Sequence, residues 1–194
     1  MTKYGADTID GLTIGNEVAD TPSNIMDKVR DVRTYLSDVV GYKGPISIVH
    51  TWVEVMNNPV LCNADRVAIN AHAFYDGGVK SAGAGDFIKD VVIPNIKKAC
   101  APYPEVNNIV ITEGGWPSRG KSNGAAVTSV ADEQATLSTV LPRTLTPLHL
   151  RPTTRPGNRG TRTKEVSPLR AHRSEHQDNT DFCVCRLRYL VQGY

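Results

Sequence analysis

The most constraining feature of this sequence is the alternation of short, continuous apolar runs with stretches of helical spacing. Four apolar runs are present, at residues 11–15, 45–50, 67–72 and 108–112. Runs of this kind indicate strands buried on both faces. Helices are predicted over 21–41 and about 86–98, with a short helical or irregular connection over 53–64 and a last helix opening at the capping-box-like residues 129–132. The alternation predicts α/β architecture with parallel βα units, either a doubly wound sheet or part of a (β/α)8 barrel.

Polar and aromatic residues follow these runs directly. Asn16 and Glu17 come after the first run, His72 and Tyr75 end the third, and Glu113 follows the fourth. Because (β/α)8 enzymes build active sites at the carboxyl ends of their strands, this placement favours the barrel. Two glutamates beside aromatic rings suit sugar hydrolysis, in which paired carboxylates supply acid, base and nucleophile. Spacing alone leaves open the alternative that Glu17 caps a helix, Glu113 is a solvated loop acid and the aromatics cover the barrel rim.

The amino-acid sequences of these segments are more specific than the spacing of their polar residues. GLTIGNEV at 11–18, INAHAFYDGG at 69–78 and NNIVITEGGWPSRG at 107–120 resemble glycoside hydrolase family 17, particularly fungal cell-wall β-1,3-glucan hydrolases and glucan-modifying enzymes. VADEQATLSTV at 130–140 resembles the helix after the nucleophile loop of that family. The likeness covers roughly residues 5–140. It implies a (β/α)8 barrel, a retaining mechanism on a β-glucan substrate, and a secreted or cell-wall location.

The resemblance also implies roles for single residues. Glu17 falls on the family's acid/base after strand four, and Glu113 on its nucleophile after strand seven. Asn16 would donate to the sugar 2-hydroxyl, His72 and Tyr75 would orient the reacting sugar, and Trp116 would offer a stacking face. The alternatives are a core histidine for His72 and a barrel-rim hydrophobe for Trp116.

The chain departs from the family's pattern at both ends. It begins just before the family's fourth strand, and its resemblance to the family ends after Val140. A partial barrel of about strands four to seven is therefore expected. We expect a catalytic domain over 1–140, with a catalytically inactive fragment as the alternative to an active enzyme.

A change in composition marks the same boundary. Residues 1–140 carry 12 Lys and Arg against 16 Asp and Glu, whereas residues 141–194 carry 10 basic residues, nine of them Arg, against 4 acids. The second segment lacks sustained periodicity and is predicted to be a disordered Arg/Pro-rich tail. Three explanations remain open: a basic interaction arm that binds polyanions, a solvated linker, or residues translated from a shifted reading frame or a retained intron.

Composition excludes several classes of protein. A formal net charge of +2 argues against a dedicated nucleic-acid binder. The sequence predicts no membrane span, because no apolar run approaches the roughly 18 residues required, and no signal peptide. The four cysteines lack paired zinc spacing, and neither a metal nor a cofactor is expected. Cys62 and Cys100 form a disulfide if the protein is secreted, or else remain two buried thiols. The oligomeric state stays open.

Overall fold

A computed structural model describes residues 9–144, 172–176 and 180–186 of the chain. Its strands are β1 Leu12–Thr13, β2 Ile46–Ser47, β3 Val49–Thr51, β4 Val67–Asn70, β5 Ile109–Pro117, β6 His172–His176 and β7 Thr180–Arg186. Its α-helices are α1 Pro22–Tyr35, α2 Trp52–Asn57, α3 Ala84–Phe87, α4 Ile93–Ala99 and α5 Val130–Thr144. A π-helical turn at Leu36–Val40 continues α1, and another at Ile88–Val92 joins α3 to α4. Short 3₁₀ turns lie at Pro59–Cys62, Ala73–Tyr75, Ser81–Gly83 and Pro104–Asn107.

Strands β1 to β5 run parallel and in chain order, in a two-stranded sheet of β1 and β2 and a second sheet in which β3, β4 and β5 are neighbours. β1 pairs with β2, and the stretch that continues β2 as β3 pairs with β4, which pairs with β5. A doubly wound sheet reverses its strand order at a switch point, whereas a barrel adds each strand beside the last. The order therefore favours the barrel. Within the described residues the sheet does not close into a ring.

The two faces of the sheet are packed differently. Val67 and Ile69 of β4, with Ile109 and Ile111 of β5, join the helices in one large apolar core. A small separate cluster on the other face consists of Val49, Ala68 and Val110. Because side chains alternate along a strand, Asn70 and Thr112 follow Ala68 and Val110 on this second face.

The predicted helix over 21–41 is confirmed as α1 and the π turn that continues it. The Thr21 side chain accepts a hydrogen bond from the Asn24 backbone N–H at 3.3 Å, and Pro22 occupies the first turn. Gly41 ends the helical stretch with φ of 74°, a left-handed conformation that glycine adopts without strain. Ile25 and Val29 bury the apolar stripe against the core.

The pairing state of Cys62 and Cys100 is decided by the structure. The two residues form a disulfide with a Cα–Cα distance of 5.7 Å, and both are fully buried. The bond ties the 3₁₀ turn after α2 to the residue that follows α4. The disulfide therefore fixes the connection between β3 and β4 to the connection between β4 and β5.

Part of the segment predicted to be a disordered tail differs from that expectation. α5 continues past Val140 to Thr144, and β6 and β7 form an antiparallel pair. β7 also pairs antiparallel with β5, with Trp116 opposite Cys183. The open edge of β5 provides unpaired backbone groups, and a short run of β-prone residues satisfies them. Residues 145–171, 177–179 and 187–194 lie outside the described residues.

Two kinds of feature are missing from residues 9–144, 172–176 and 180–186. No helix there is long and apolar enough to cross a membrane. No group of three or more His, Cys, Asp or Glu side chains there is arranged to hold a metal ion.

Candidate active site

Glu17 lies in the loop that follows β1, where its backbone is unusual. Its φ of 49° makes it the one non-glycine residue with positive φ in the part of the chain described. The Glu17 backbone N–H donates to the Val49 carbonyl at 2.9 Å, which fixes the loop against β3. Left-handed backbone at a glutamate costs about 1–2 kcal/mol. The fold therefore holds this exposed carboxylate in a strained position beside the strand ends.

Glu113 reaches the same edge of the sheet through an irregularity in β5. Ile69 pairs with Ile111, but the next residue, Asn70, pairs with Glu113 rather than Thr112. The Ala71 backbone N–H donates to the Glu113 carbonyl at 2.8 Å, which matches the shifted register. In a regular strand, Thr112 and Glu113 would face opposite sides of the sheet. The bulge allows both side chains to contact residues of the site.

His72 and Tyr75 lie beside Glu113. His72 Nε2 is 3.6 Å from Glu113 Oε2, with both side chains largely buried. The rings of His72 and Tyr75 meet edge to face, with centroids 6.0 Å apart. Tyr75 is 62% exposed, so its ring can still contact a bound molecule. The structure thus brings together three residues that sequence patterns place in the site.

Asn70, which is not among the site residues predicted from the sequence, connects the two glutamates. Its Nδ2 donates to Glu17 Oε1 at 2.7 Å and lies 3.2 Å from Asn16 Oδ1. Its Oδ1 accepts from the Thr112 hydroxyl at 2.6 Å. Because Asn70 also pairs in register with Glu113, it links the loop that carries Glu17 to the strand that carries Glu113.

A signal for Asn70 was present in the sequence. It is the polar residue inside the apolar run of β4, and it is only 2% exposed. A buried amide must find hydrogen-bond partners, so such a residue indicates a polar network. The partners come from segments far apart in the chain, which sequence spacing could not reveal.

The prediction of a stacking face for Trp116 is wrong. Trp116 is fully buried, and its ring packs edge to face on Phe74 at 5.3 Å. Its indole N–H donates to the Val127 carbonyl at 2.7 Å. A ring enclosed in this way has no open face for a sugar, so the barrel-rim hydrophobe is the correct alternative. Phe74 and Trp116 instead support the loop that carries Tyr75.

The comparison with protein families decides the identity of the chain. The model of the BtgE/BtgC glycoside hydrolase domain matches residues 1–148. The chain belongs to this glycoside hydrolase family. The predicted resemblance to family 17 is confirmed by the similar proteins, whose names and structures carry that assignment.

Curated relatives of this BtgE/BtgC domain are fungal. A cell surface mannoprotein of Candida albicans is 41% identical over 139 residues, which are 69% of this chain and 35% of the relative. A probable family 17 glucosidase of Saccharomyces cerevisiae is 36% identical over 146 residues, covering 72% of this chain and 36% of the relative. The chain thus spans about a third of the length of these relatives.

Solved structures confirm the fold of the BtgE/BtgC domain. A family 17 β-1,3-glucanosyltransferase from Rhizomucor miehei matches with a TM-score of 0.57 and 26% identity, over 70% of this chain and 48% of that one. An active-site mutant of that enzyme in complex with laminaritriose matches with the same TM-score of 0.57 and 25% identity, over 69% of this chain and 48% of its own. The prediction of a partial (β/α)8 barrel is therefore confirmed.

Proposed function

We propose that this domain acts on β-1,3-glucan by retaining double displacement, with Glu17 as acid/base and Glu113 as nucleophile. The observation that carries the proposal is the pairing of Asn70 with both glutamates. Its side chain bonds Glu17, and its backbone lies in register with Glu113. A retaining enzyme needs its two carboxyl groups about 5–5.5 Å apart, and Asn70 links the two segments that carry them. The names of the relatives support the substrate class.

The proposed reaction proceeds in two steps. Glu113, ionised, attacks the anomeric carbon and forms a glycosyl ester, while protonated Glu17 gives its proton to the departing glycosidic oxygen. Glu17, now ionised, takes a proton from water or from an acceptor sugar hydroxyl, whose oxygen displaces Glu113 from the anomeric carbon. The second step restores both carboxyl groups to their starting states. Water as the acceptor gives hydrolysis, and a sugar gives transglycosylation.

Further residues contribute to substrate binding in this proposal. Asn16 donates to the sugar 2-hydroxyl, a contact that strengthens in the transition state. His72 holds the Glu113 carboxylate from one side, since Nε2 and Oε2 are 3.6 Å apart. Tyr75 offers its exposed ring to a pyranose face, because apolar C–H groups of sugars pack on aromatic rings.

A secreted or cell-wall location fits the same proposal. The Cys62–Cys100 disulfide forms and persists in oxidising compartments. A relative that is 41% identical is named a cell surface mannoprotein. The site would then meet β-glucan outside the cell.

Covalent trapping tests the roles of the two glutamates. The full chain is incubated for hours with a 2-deoxy-2-fluoro-β-laminaribioside that carries a dinitrophenyl leaving group, and the protein is analysed by intact mass and peptide mapping. The covalently labelled protein accumulates during the incubation, so trapping detects the nucleophile even where turnover is slow. We expect one label on Glu113, none in Glu113→Gln, and retained labelling in Glu17→Gln, because dinitrophenolate leaves without protonation.

The control variant is Glu54→Gln, which changes a carboxylate in α2 that accepts from Asn58 within its own helical turn. It should be labelled like the unmodified chain. Labelling at another residue would overturn the assignment of the nucleophile. No labelling under conditions that label the Rhizomucor miehei enzyme would favour an inactive fragment.

A further inference from the structure

We propose that Asn70 and Thr112 form a positioning pair that sets the orientation of both Glu17 and the Asn16 amide. The pair acts through its hydrogen bonds to Glu17 and Asn16. Its hydrogen-bond geometry stands independently of the proposed function, whereas its effect on catalysis rests on that function.

The hydrogen bonds around the Asn70 side chain have a defined direction. Asn70 Nδ2 donates to Glu17 Oε1 at 2.7 Å, a bond that an ionised carboxylate accepts and that the carbonyl oxygen of the protonated carboxyl can also accept. Asn70 Nδ2 therefore faces Glu17, and Asn70 Oδ1 faces Thr112. The Thr112 hydroxyl then donates its one proton to Oδ1 at 2.6 Å. The Thr112 hydroxyl thus supports the orientation in which the Nδ2 end of the Asn70 amide meets the candidate acid.

The orientation of the Asn70 amide also determines the orientation of the Asn16 amide. Asn70 Nδ2 has two protons, one for Glu17 Oε1 and one for Asn16 Oδ1 at 3.2 Å. Asn16 therefore presents its carbonyl oxygen to Asn70. Its own Nδ2 group is left to donate outward, and Asn16 is exposed. A donor at that position is what recognition of a sugar hydroxyl requires.

Burial and the β5 bulge hold Asn70 and Thr112 in place. Asn70 is 2% exposed, so water does not compete for its amide, and hydrogen bonds in such surroundings are stronger. The bulge in β5 replaces the regular Asn70–Thr112 register with Asn70–Glu113. The same backbone irregularity thus aims both Thr112 and the candidate nucleophile. A change at Thr112 should disturb the acid without unfolding the sheet.

The first test is spectroscopic and does not require activity. Side-chain amide resonances of Asn70 and Asn16 are recorded by ¹⁵N–¹H NMR on the full chain, assigned through Asn70→Asp and Asn16→Asp. Thr112→Val, which removes the hydroxyl and keeps the shape, should shift both pairs of resonances. Thr112→Ser should restore them. The matched control Thr34→Val, on the exposed face of α1, should leave them unchanged. Unshifted resonances in Thr112→Val would overturn the pair.

The second test is kinetic and separates positioning from general disruption. With a dinitrophenyl leaving group, Thr112→Val should be trapped at a rate within about threefold of the unmodified chain. Hydrolysis of laminaritriose, whose leaving sugar needs a proton, should fall about 10- to 100-fold in kcat, part of the roughly 10²–10⁴-fold that general acid catalysis supplies. Thr112→Ser should recover most of it. Equal losses with both leaving groups would refute the positioning role.

The two tests separate failure of the inference from failure of the proposed function. An unmodified chain that is neither trapped nor able to hydrolyse laminaritriose would refute the proposed function alone. The amide resonances would still support or overturn the hydrogen-bonded pair. Normal trapping with unshifted resonances in Thr112→Val would refute the inference alone.

Discussion

Single residues at this site are held at a cost in stability. Glu17 adopts φ of 49°, a conformation disfavoured for any residue with a Cβ. Two hydrogen bonds hold it, one from its own backbone N–H to Val49 and one from Asn70 to its carboxylate. Strain of this kind is typical of functional sites, where surrounding structure fixes a residue that its own preferences would place elsewhere.

A pair of substitutions measures the backbone strain at Glu17. Glu17→Gly and Glu17→Ala both remove the carboxylate and its bond to Asn70, but glycine adopts positive φ without a Cβ clash. We expect Glu17→Gly to be about 1 kcal/mol more stable than Glu17→Ala in urea unfolding. The comparison contains its own control, because the lost hydrogen bond is common to both variants. Equal stability, or a more stable alanine variant, would contradict the strain.

Among the elements, α5 is docked by one carboxylate. Asp132 accepts from the Ser129 hydroxyl at 2.6 Å at the start of its own helix and from the Ser81 hydroxyl at 2.5 Å across the fold. The Asp132 backbone N–H donates to Ser129 Oγ at 3.0 Å, so Ser129 caps the helix as predicted, although the Asp132 carboxylate accepts from the Ser129 hydroxyl and not from its backbone N–H as in a full capping box. Hydrogen bonds from Ser129 and Ser81 lower the pKa of Asp132 below its usual value.

This carboxylate should make stability depend on pH. A lowered pKa in the folded state means that the stabilisation is present above the unfolded value near 4 and is lost as pH falls through the folded value. Asp132→Asn should therefore cost about 1 kcal/mol of unfolding free energy at pH 7. The cost should shrink as pH falls below the unfolded value and vanish only below the lowered pKa of the folded Asp132 carboxyl. Asp38→Asn, at an exposed carboxylate, is the control. A cost of Asp132→Asn that does not fall at all as the pH is lowered from 7 through the acid range would contradict the account.

The disulfide is a second device at the scale of elements. Cys62 and Cys100 are separated by 38 residues, and closing a loop of that length stabilises a fold by about 4 kcal/mol through the unfolded state. Reductant should lower the free energy of unfolding by about that amount. The double variant Cys62→Ala/Cys100→Ala should lose its response to reductant. A Cys183→Ser/Cys185→Ser control should keep it, and a response that disappears in the control instead would place the stabilising bond elsewhere.

At the scale of the whole molecule, the parallel sheet and the C-terminal segment meet at β5. β7 pairs along β5 from Glu113 to Pro117. An uncovered strand edge invites pairing with other chains, so a strand laid along it limits association. We propose that the catalytic fold lies in the N-terminal domain, extended to the end of α5 at Thr144, and that the segment beyond it is dispensable for folding.

Truncation tests this division. A chain ending at Thr144 should keep a cooperative melt by circular dichroism, because the apolar core and the disulfide lie before that point. It should self-associate more in sedimentation velocity, since the β5 edge is uncovered. A chain ending at residue 171 should behave in the same way, which would attribute the effect to β6 and β7. Loss of the cooperative transition would contradict the division, and salt-sensitive binding to DNA or RNA that truncation removes would support a polyanion-binding arm.

The sequence by itself determined the order of elements and the family. Continuous apolar runs predicted the parallel strands because a buried strand must be apolar on both faces. Helical spacing and the Thr21 cap predicted α1 because these signals are local. The motifs around Glu17, His72 and Glu113 were sufficient for the family resemblance, which the comparisons confirm.

Only the tertiary structure decided how the site is held together. Asn70, Thr112 and Glu17 meet across segments more than 40 residues apart in the chain, and no local pattern reports such contacts. The same holds for Trp116, an aromatic residue beside a glutamate whose burial depends on Phe74 and Val127 packing around it. A β-bulge also leaves no mark in apolar spacing, since it shifts register by a single residue. Hydrogen bonding and close packing are satisfied in three dimensions, so they select among arrangements that one sequence pattern allows equally.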